Sequence, residues 1–153
     1  MKNLTLKKAT ITELDRIREI YWKLLDSSEK YASILQWKKE IYPADTDWCS
    51  YINKGEMYFI CRDTEVLGAV ALATAQTEGY RKIKWSINAA DHEVAVVHLL
   101  AVDPDYQGQG IAAATLEKII KIAADMNKKA VRLDAIITNE PAQRLYEKFG
   151  FVS

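Results

Sequence analysis

The chain is short of the features that mark several large protein classes. Two cysteines, Cys49 and Cys61, stand apart among 153 residues, without CxxC spacing or nearby histidine pairs, so neither a redox pair nor a metal site is readable. Both are expected to be buried, reduced thiols. Six glycines and three prolines form no linker, and no repeat or low-complexity tract interrupts the chain, so one domain over residues 1–153 is expected. Neither sign of charge is in excess, with 21 Lys+Arg against 21 Asp+Glu. That balance argues against nucleic acid or an anionic membrane as partner and makes any phosphate recognition local. No apolar run approaches the roughly 18 residues that cross a bilayer, and the N-terminus lacks the apolar segment of a secretory signal. A cytoplasmic address is the expectation.

What is present is an ordinary globular composition, 49% hydrophobic and 27% charged, with readable periodicities. Leu4 and Leu6 alternate with polar neighbours as a first strand. Thr10 stands three residues before Glu13 as a capping box, and Leu14, Ile17, Ile20, Tyr21, Leu24 and Leu25 recur at helical spacing. Residues 34–42 read as helical up to Pro43, and 45–53 as a further short helix ended by Gly55. Met57 to Arg62 and Val66 to Thr74 form a predicted hairpin around Asp63, Thr64 and Glu65. Ile83, Trp85 and Ile87 alternate as an extra strand. Val94 to Val102 is nearly all apolar, as a strand covered on both faces requires, and a helix-period run from Gly110 to Met126 follows. Ala130 to Ile137 gives another buried strand. Pro141 opens a last helix, with Ala142, Leu145, Tyr146 and Phe149 on one face and Gly150 at its end.

Between the buried strand and its helix lies Asp103-Pro104-Asp105-Tyr106-Gln107-Gly108-Gln109-Gly110-Ile111-Ala112. The first N–H groups of a helix lack intrahelical acceptors, the helix dipole adds about half a positive charge there, and glycines remove the Cβ atoms that would hold a pyrophosphate away. The same residues fit GxGxxA, with Asp134 near the end of the next strand, so a dinucleotide-binding turn is an alternative. Against it, residues 103–107 separate the first glycine from the strand, and too little chain follows Asp134 for a doubly wound sheet. A tight structural turn is the plainest alternative.

Taken together, the strand from Val97 to Pro104, the run Gln107-Gly108-Gln109-Gly110-Ile111-Ala112 and the segment Asn139 to Phe151 resemble the GNAT superfamily of N-acetyltransferases. The run matches that family's Q/R-x-x-G-x-G/A signature, and the last segment its N-x-x-A-x-x-L-Y-x-x-x-G-F close. The likeness is specific from about Val94 to Phe151 and topological before it. It implies an α/β (α+β) fold: a mixed, mostly antiparallel central sheet with splayed fourth and fifth strands, flanked by helices. It also implies acetyl-CoA as co-substrate, bound by Leu100, Ala101, Val102 and the turn residues Gln107 and Gly108, with pantetheine against the strand backbone and the pyrophosphate at the N–H groups of Gln109, Gly110, Ile111 and Ala112. Asn139 would contact the pantetheine arm and Tyr146 the sulfur. The family normally adds a sixth strand and a seventh where this sequence stops at Ser153, so the natural chain is expected to continue, the alternative being an unusual sheet edge.

Acetyl transfer from a thioester to an amine requires a neutral amine, stabilisation of charge on the carbonyl oxygen, and help for the departing thiolate. A backbone N–H near Leu100 is the expected oxyanion donor and Tyr146 the hydrogen bond to sulfur. His98 is the candidate base, directly or through water, because arylalkylamine acetyltransferases of the superfamily place a histidine there. Its parity with Leu100 aims it into the cleft unless a bulge intervenes. A satisfied core imidazole is the alternative for His98, and a packed core phenol for Tyr146. Glu93 and Asp134 are weaker base candidates, and His92 reads as a loop residue. No metal is called for. The expected partner is a small-molecule or peptide amine, with a homodimer allowed; Trp22, Trp37, Tyr42, Trp48, Tyr80 and Trp85 suit either an aromatic amine pocket or the core. A non-catalytic acyl-CoA-binding module on the same fold is the alternative function.

Overall fold

The computed structural model describes residues 3–75, 89–133, 144, 145 and 147. Five strands form one sheet in chain order: β1 (Leu4–Lys8), β2 (Met57–Arg62), β3 (Glu65–Ala73), β4 (Val94–Val102) and β5 (Ala130–Leu133). Neighbours are antiparallel except β4 and β5, which run parallel. The β2–β3 hairpin turns at Asp63 and Thr64, with Asp63 at φ +55°.

Helices cover both faces. On one lie α1 (Leu14–Ser27) and α3 (Asp45–Asn53), with the short α2 (Glu29–Leu35) between them in sequence. Ile17, Ile20, Tyr21 and Leu24 of α1, with Trp48 and Ile52 of α3, pack on Met57, Phe59, Ala69, Ala71, Leu99 and Ala101. The apolar stripe of α1 follows helical spacing, which is why one face of it disappears from solvent. Each such side chain contributes about 1.5–3 kcal/mol by burial. At the helix entry, Glu13 Oε1 accepts the Thr10 N–H at 2.9 Å. Arg18 of α1 donates to both carboxylate oxygens of Asp45, at 2.9 and 2.7 Å, which pins the start of α3 to α1. The opposite face is covered by α4 (Ile111–Asp125), whose Ile111, Ile119 and Ala123 pack on Leu4, Tyr58, Ile60, Leu67, Val70, Leu72, Ala95 and Val97.

The helical reading of residues 34–42 needs correction. The helix starts earlier and ends at Leu35; Gln36 and Glu40 take left-handed φ of +57° and +65°, and Lys38 pairs with Tyr42 in a tight loop before Pro43. The Lys38 N–H donates forward to the Tyr42 carbonyl at 2.7 Å while the Tyr42 N–H donates back to the Lys38 carbonyl at 2.9 Å, closing an antiparallel bridge where a helix would continue. The hydrophobic spacing of this stretch was shared by helix and loop, so it did not discriminate. Cys61 is buried and Cys49 only half-buried, both free. The predicted strand at 83–87 and helix from Pro141 lie outside the described residues, apart from Arg144, Leu145 and Glu147, which are helical.

Candidate active site

β4 and its exit supply the site's backbone. After Val102, Pro104–Tyr106 make one 3-10 turn, capped where Asp103 Oδ1 accepts the Asp105 N–H at 2.9 Å. The chain then passes through Gly108 and Gly110, both left-handed at φ +81° and +75°, and enters α4 at Ile111. Among the described residues, and apart from the immediate chain neighbours, no atom lies within 4 Å of where a Cβ would stand at either glycine. Their left-handed backbone, rather than packing, calls for glycine, and it leaves open space above the α4 N-terminus. The N–H groups of that first turn have no intrahelical acceptors, and no acidic side chain occupies the turn. An anionic ligand fits this cradle. Gln107 turns back, its Nε2 lying 3.4 Å from the Val102 carbonyl oxygen.

Charge around the turn is arranged by residues distant in sequence. Asp103 and Asp105 flank the anion cradle, and both are bridged by Lys23 Nζ of α1, at 2.9 and 2.7 Å. Hydrogen bonds to Asp105 and Asp103 raise the Lys23 pKa and keep the ammonium charged. Arg62, at the end of β2, donates to Gln109 Oε1 at 3.1 Å and lies 5.9 Å from the Tyr106 ring centroid; the Tyr106 hydroxyl donates to Glu65. Beside these groups an open cleft of about 530 Å³ is lined by Arg16, Glu19, Lys23, Glu65, Asp105 and Tyr106, among others.

Farther up β4 the strand is interrupted. Ala69 faces Ala101 while Ala71 faces His98, so Val70 stands opposite both Leu99 and Leu100, and Leu99 takes φ +56°. This β-bulge places one extra residue in β4. Tyr21, fully buried in α1, donates its hydroxyl to the Leu99 carbonyl oxygen at 2.6 Å. The bulge breaks the parity expected between His98 and Leu100: Leu99 packs with the α1/α3 layer and Leu100 with the α4 layer. His98 faces α3, with Tyr51 ring to ring at 5.8 Å. Parity therefore does not carry His98 to the Leu100 side.

With this geometry in place, residues 14–151 match the family described as Acetyltransferase (GNAT) family. The chain belongs to the GNAT family. It is 28% identical to an uncharacterized N-acetyltransferase of Methanocaldococcus jannaschii over 99% of its own length and 62% of that protein's, so it spans less than two thirds of that relative. A GNAT-family acetyltransferase from Streptococcus agalactiae superposes with a TM-score of 0.79 at 20% identity, over 96% of this chain and 84% of that one. AAC(6')-Iy, solved with the bisubstrate analogue CoA-S-monomethyl-acetylneamine, superposes at 0.64 and 12% identity, over 98% of this chain and 91% of that one. The mixed, mostly antiparallel sheet flanked by helices is thus the GNAT fold, and the family's reaction is acetyl transfer from acetyl-CoA.

Within this GNAT chain the expected site residues fall into two groups. Leu100, Ala101, Val102, Gln107, Gly108, Gln109, Gly110, Ile111 and Ala112 form one continuous stretch from bulge to helix, and His98 adjoins it. Asn139, Tyr146 and Asp134 lie outside the described residues, as does the expected splay of β4 from β5 beyond the Val97–Leu133 pair. Glu93 is unsuited to the base role: it stands at the far end of β4, about 20 Å away at roughly 3.3 Å per residue. Its carboxylate pairs with Lys129 at 2.7 Å and accepts the Ala90 N–H, which hold its pKa low. Of the aromatic residues, Trp48 is core, Trp22 and Trp37 are half-buried against it, and Tyr42 is exposed; Tyr80 and Trp85 lie outside the described residues. Sequence reasoning missed Tyr21, Lys23 and Arg62 as neighbours of the site.

Proposed function

We propose that this chain moves the acetyl group of acetyl-CoA onto a primary amine of a small molecule or peptide, by direct attack in a ternary complex. The observation that carries the reading is continuity: one stretch of backbone holds a bulge at Leu99 and, eleven residues on, an open glycine-lined helix start at Gly110. A long ligand with a reactive end and an anionic middle suits that spacing. The co-substrate supplies a thioester whose carbonyl carbon accepts the amine.

The backbone of Leu100, Ala101 and Val102 would align the pantetheine arm, with Asn139 beside it. The N–H groups from Gln107 through Ala112 would receive the pyrophosphate, at an N-terminus whose dipole favours anions. A backbone N–H at the bulge, displaced from the β3 ladder, would donate to the carbonyl oxygen as charge grows there. Tyr146 would donate to the sulfur. A phenol of pKa about 10 against a thiol of about 8.5 makes full proton transfer uphill by about 2 kcal/mol, so the role is a hydrogen bond that strengthens toward the transition state.

An alkylammonium of pKa about 10 leaves only about one molecule in a thousand neutral at pH 7. With the bulge turning His98 to the α3 side, the reading places the acceptor amine on that face of β4, where His98 would accept its proton directly or through one water. The test is release of free CoA across an amine panel, with the melting temperature followed in parallel. Acetyl-CoA should raise it and NAD or FAD should not. A thermal shift with acetyl-CoA but no thiol release with any amine would favour a binding module instead. In the active case, the rate should rise through an apparent pKa near 6–7, as a histidine base requires. His98→Ala should erase that limb and cost about 100-fold.

A further inference from the structure

The bulge in β4 is built on an unfavourable residue. Leu99 is neither glycine nor asparagine, yet it holds φ +56°, where the Cβ of an L-residue crowds the following carbonyl. It is also 7% exposed, so its backbone cannot turn to water for hydrogen bonds. Something must stabilise this conformation, and the described contacts identify a group. The Tyr21 hydroxyl donates to the Leu99 carbonyl oxygen at 2.6 Å, from a helix 78 residues away in sequence.

Tyr21 is itself tightly constrained. Its ring centroid lies 5.2 Å from that of Trp48 and 5.7 Å from that of Trp37, so α1, α3 and the loop after α2 fix where the hydroxyl points. Burial raises its pKa well above the ordinary value, so the oxygen keeps its proton and stays a donor. Tyr42 and Tyr51 are the ionisable groups that act on it electrostatically, and both push in the same direction as burial. Tyr21 is completely enclosed, so solvent does not compete for its hydroxyl.

We propose that Tyr21 is a positioning residue for acetyl transfer: its hydrogen bond to the Leu99 carbonyl holds the bulge in the register that directs a backbone N–H at the acyl carbonyl. The inference rests on the function proposed above, because only a reaction at the bulge makes its geometry matter. Tyr21 does not touch the reacting atoms; it acts through the peptide at Leu99. Without the hydroxyl, the Leu99 peptide can relax toward ordinary strand geometry and the donor moves away. A displacement of about 1 Å in a catalytic donor costs up to about 100-fold in rate.

Tyr21→Phe keeps the ring in its aromatic stack and removes one oxygen. The probe is acetyl-CoA labelled with carbon-13 at the acyl carbonyl, followed by infrared difference spectroscopy on the bound protein. In the wild type the thioester carbonyl band is expected at lower frequency than for the free ligand, the mark of a hydrogen bond to that oxygen. In Tyr21→Phe the band should return toward the free position, kcat should fall about 10- to 100-fold, and KM for acetyl-CoA should change less than twofold. The double variant Tyr21→Phe/Leu99→Gly should recover the lowered band, since glycine holds φ +56° without help. It also serves if the single variant does not fold. A wild-type band already at the free position would overturn the proposal at the bulge while leaving acetyl transfer standing. Failure of the wild type to bind acetyl-CoA would remove the underlying function and this role with it. A lowered band in both wild type and Tyr21→Phe, or a folded double variant without recovery, would refute the Tyr21 assignment alone.

Discussion

Two left-handed residues stand eleven positions apart on the same segment, Leu99 in the bulge and Gly110 at the start of α4, and they are held in opposite ways. At Gly110 the residue itself permits the conformation, and the described residues leave the space beyond it open. At Leu99 the residue opposes the conformation, and packing in the α1/α3 layer together with Tyr21 imposes it. The first arrangement leaves room for a ligand. The second fixes a peptide plane in a dry interior. On the proposed function the two arrangements suit different tasks, the permissive one an approaching phosphate and the over-determined one a carbonyl that has to be met within a fraction of an ångström.

The sharpest way to break this contrast is to give Gly110 a branched side chain. Gly110→Val should lose the acetyl-CoA thermal shift altogether, with affinity reduced at least about 100-fold, because it adds atoms where the proposed pyrophosphate site lies and disfavours the left-handed backbone. Calorimetric titration with acetyl-CoA checks it, and a folded variant binding normally would sink the anion-site argument. Next in size is a pair of substitutions at Leu99. Leu99→Ala should cost about 2–4 kcal/mol in denaturant unfolding for the lost buried side chain. Leu99→Gly should be no worse, and better by up to about 1 kcal/mol, because glycine relieves the strain. That order reverses the usual ranking in a strand.

Gly68 tests the same strand from behind. It sits opposite Val102, and a Cβ there would come within 2.1 Å of the Ala101 carbonyl oxygen. Gly68→Ala must push β4 aside; a loss of about 1–3 kcal/mol and weaker acetyl-CoA binding are expected from unfolding curves and titration. Lys23→Met should act on the permissive end only. With Asp103 and Asp105 no longer neutralised, acetyl-CoA affinity should drop about three- to tenfold, less so as salt is raised. The smallest effect is expected at Asp45. Its pKa is held down by hydrogen bonding to Arg18, so it stabilises the fold above its unfolded pKa near 3.8 and loses that contribution as pH falls through the lower folded value. Asp45→Asn should flatten that acid limb of the melting temperature by a small amount, since the Asp45 side chain is half open to solvent, which screens the pair.

Much of the fold was legible because it rests on local signals. The stripe from Ile17 to Leu25, the β-branched and aromatic runs of the hairpin and the apolar run from Val94 each declare their element within a few residues. The glycine turn was legible for the same reason: positive φ at Gly108 and Gly110 has a residue type that announces it. Leu99 has none. It sits in a run of apolar residues where any one of them fits a regular strand, so the bulge, and with it the direction of His98, could not be read. Gln36 and Glu40 hid the loop before Pro43 in the same way. Tyr21, Lys23 and Arg62 were invisible as site neighbours because their partners are 78, 80 to 82 and 47 residues away.

The stacking of Tyr21 on Trp48 and Trp37 gives the protein an internal optical reporter. Light absorbed by the Tyr21 phenol at 5.2 Å from an indole passes to Trp48 with high efficiency, and the asymmetric coupling of the three rings contributes to the near-ultraviolet circular dichroism. Because the same phenol is bonded to Leu99, a movement of that peptide rotates one member of the set. Events at the bulge, including ligand binding and any loosening of β4, can therefore be followed on the unlabelled protein at micromolar concentration, at the wavelength of its own aromatic residues.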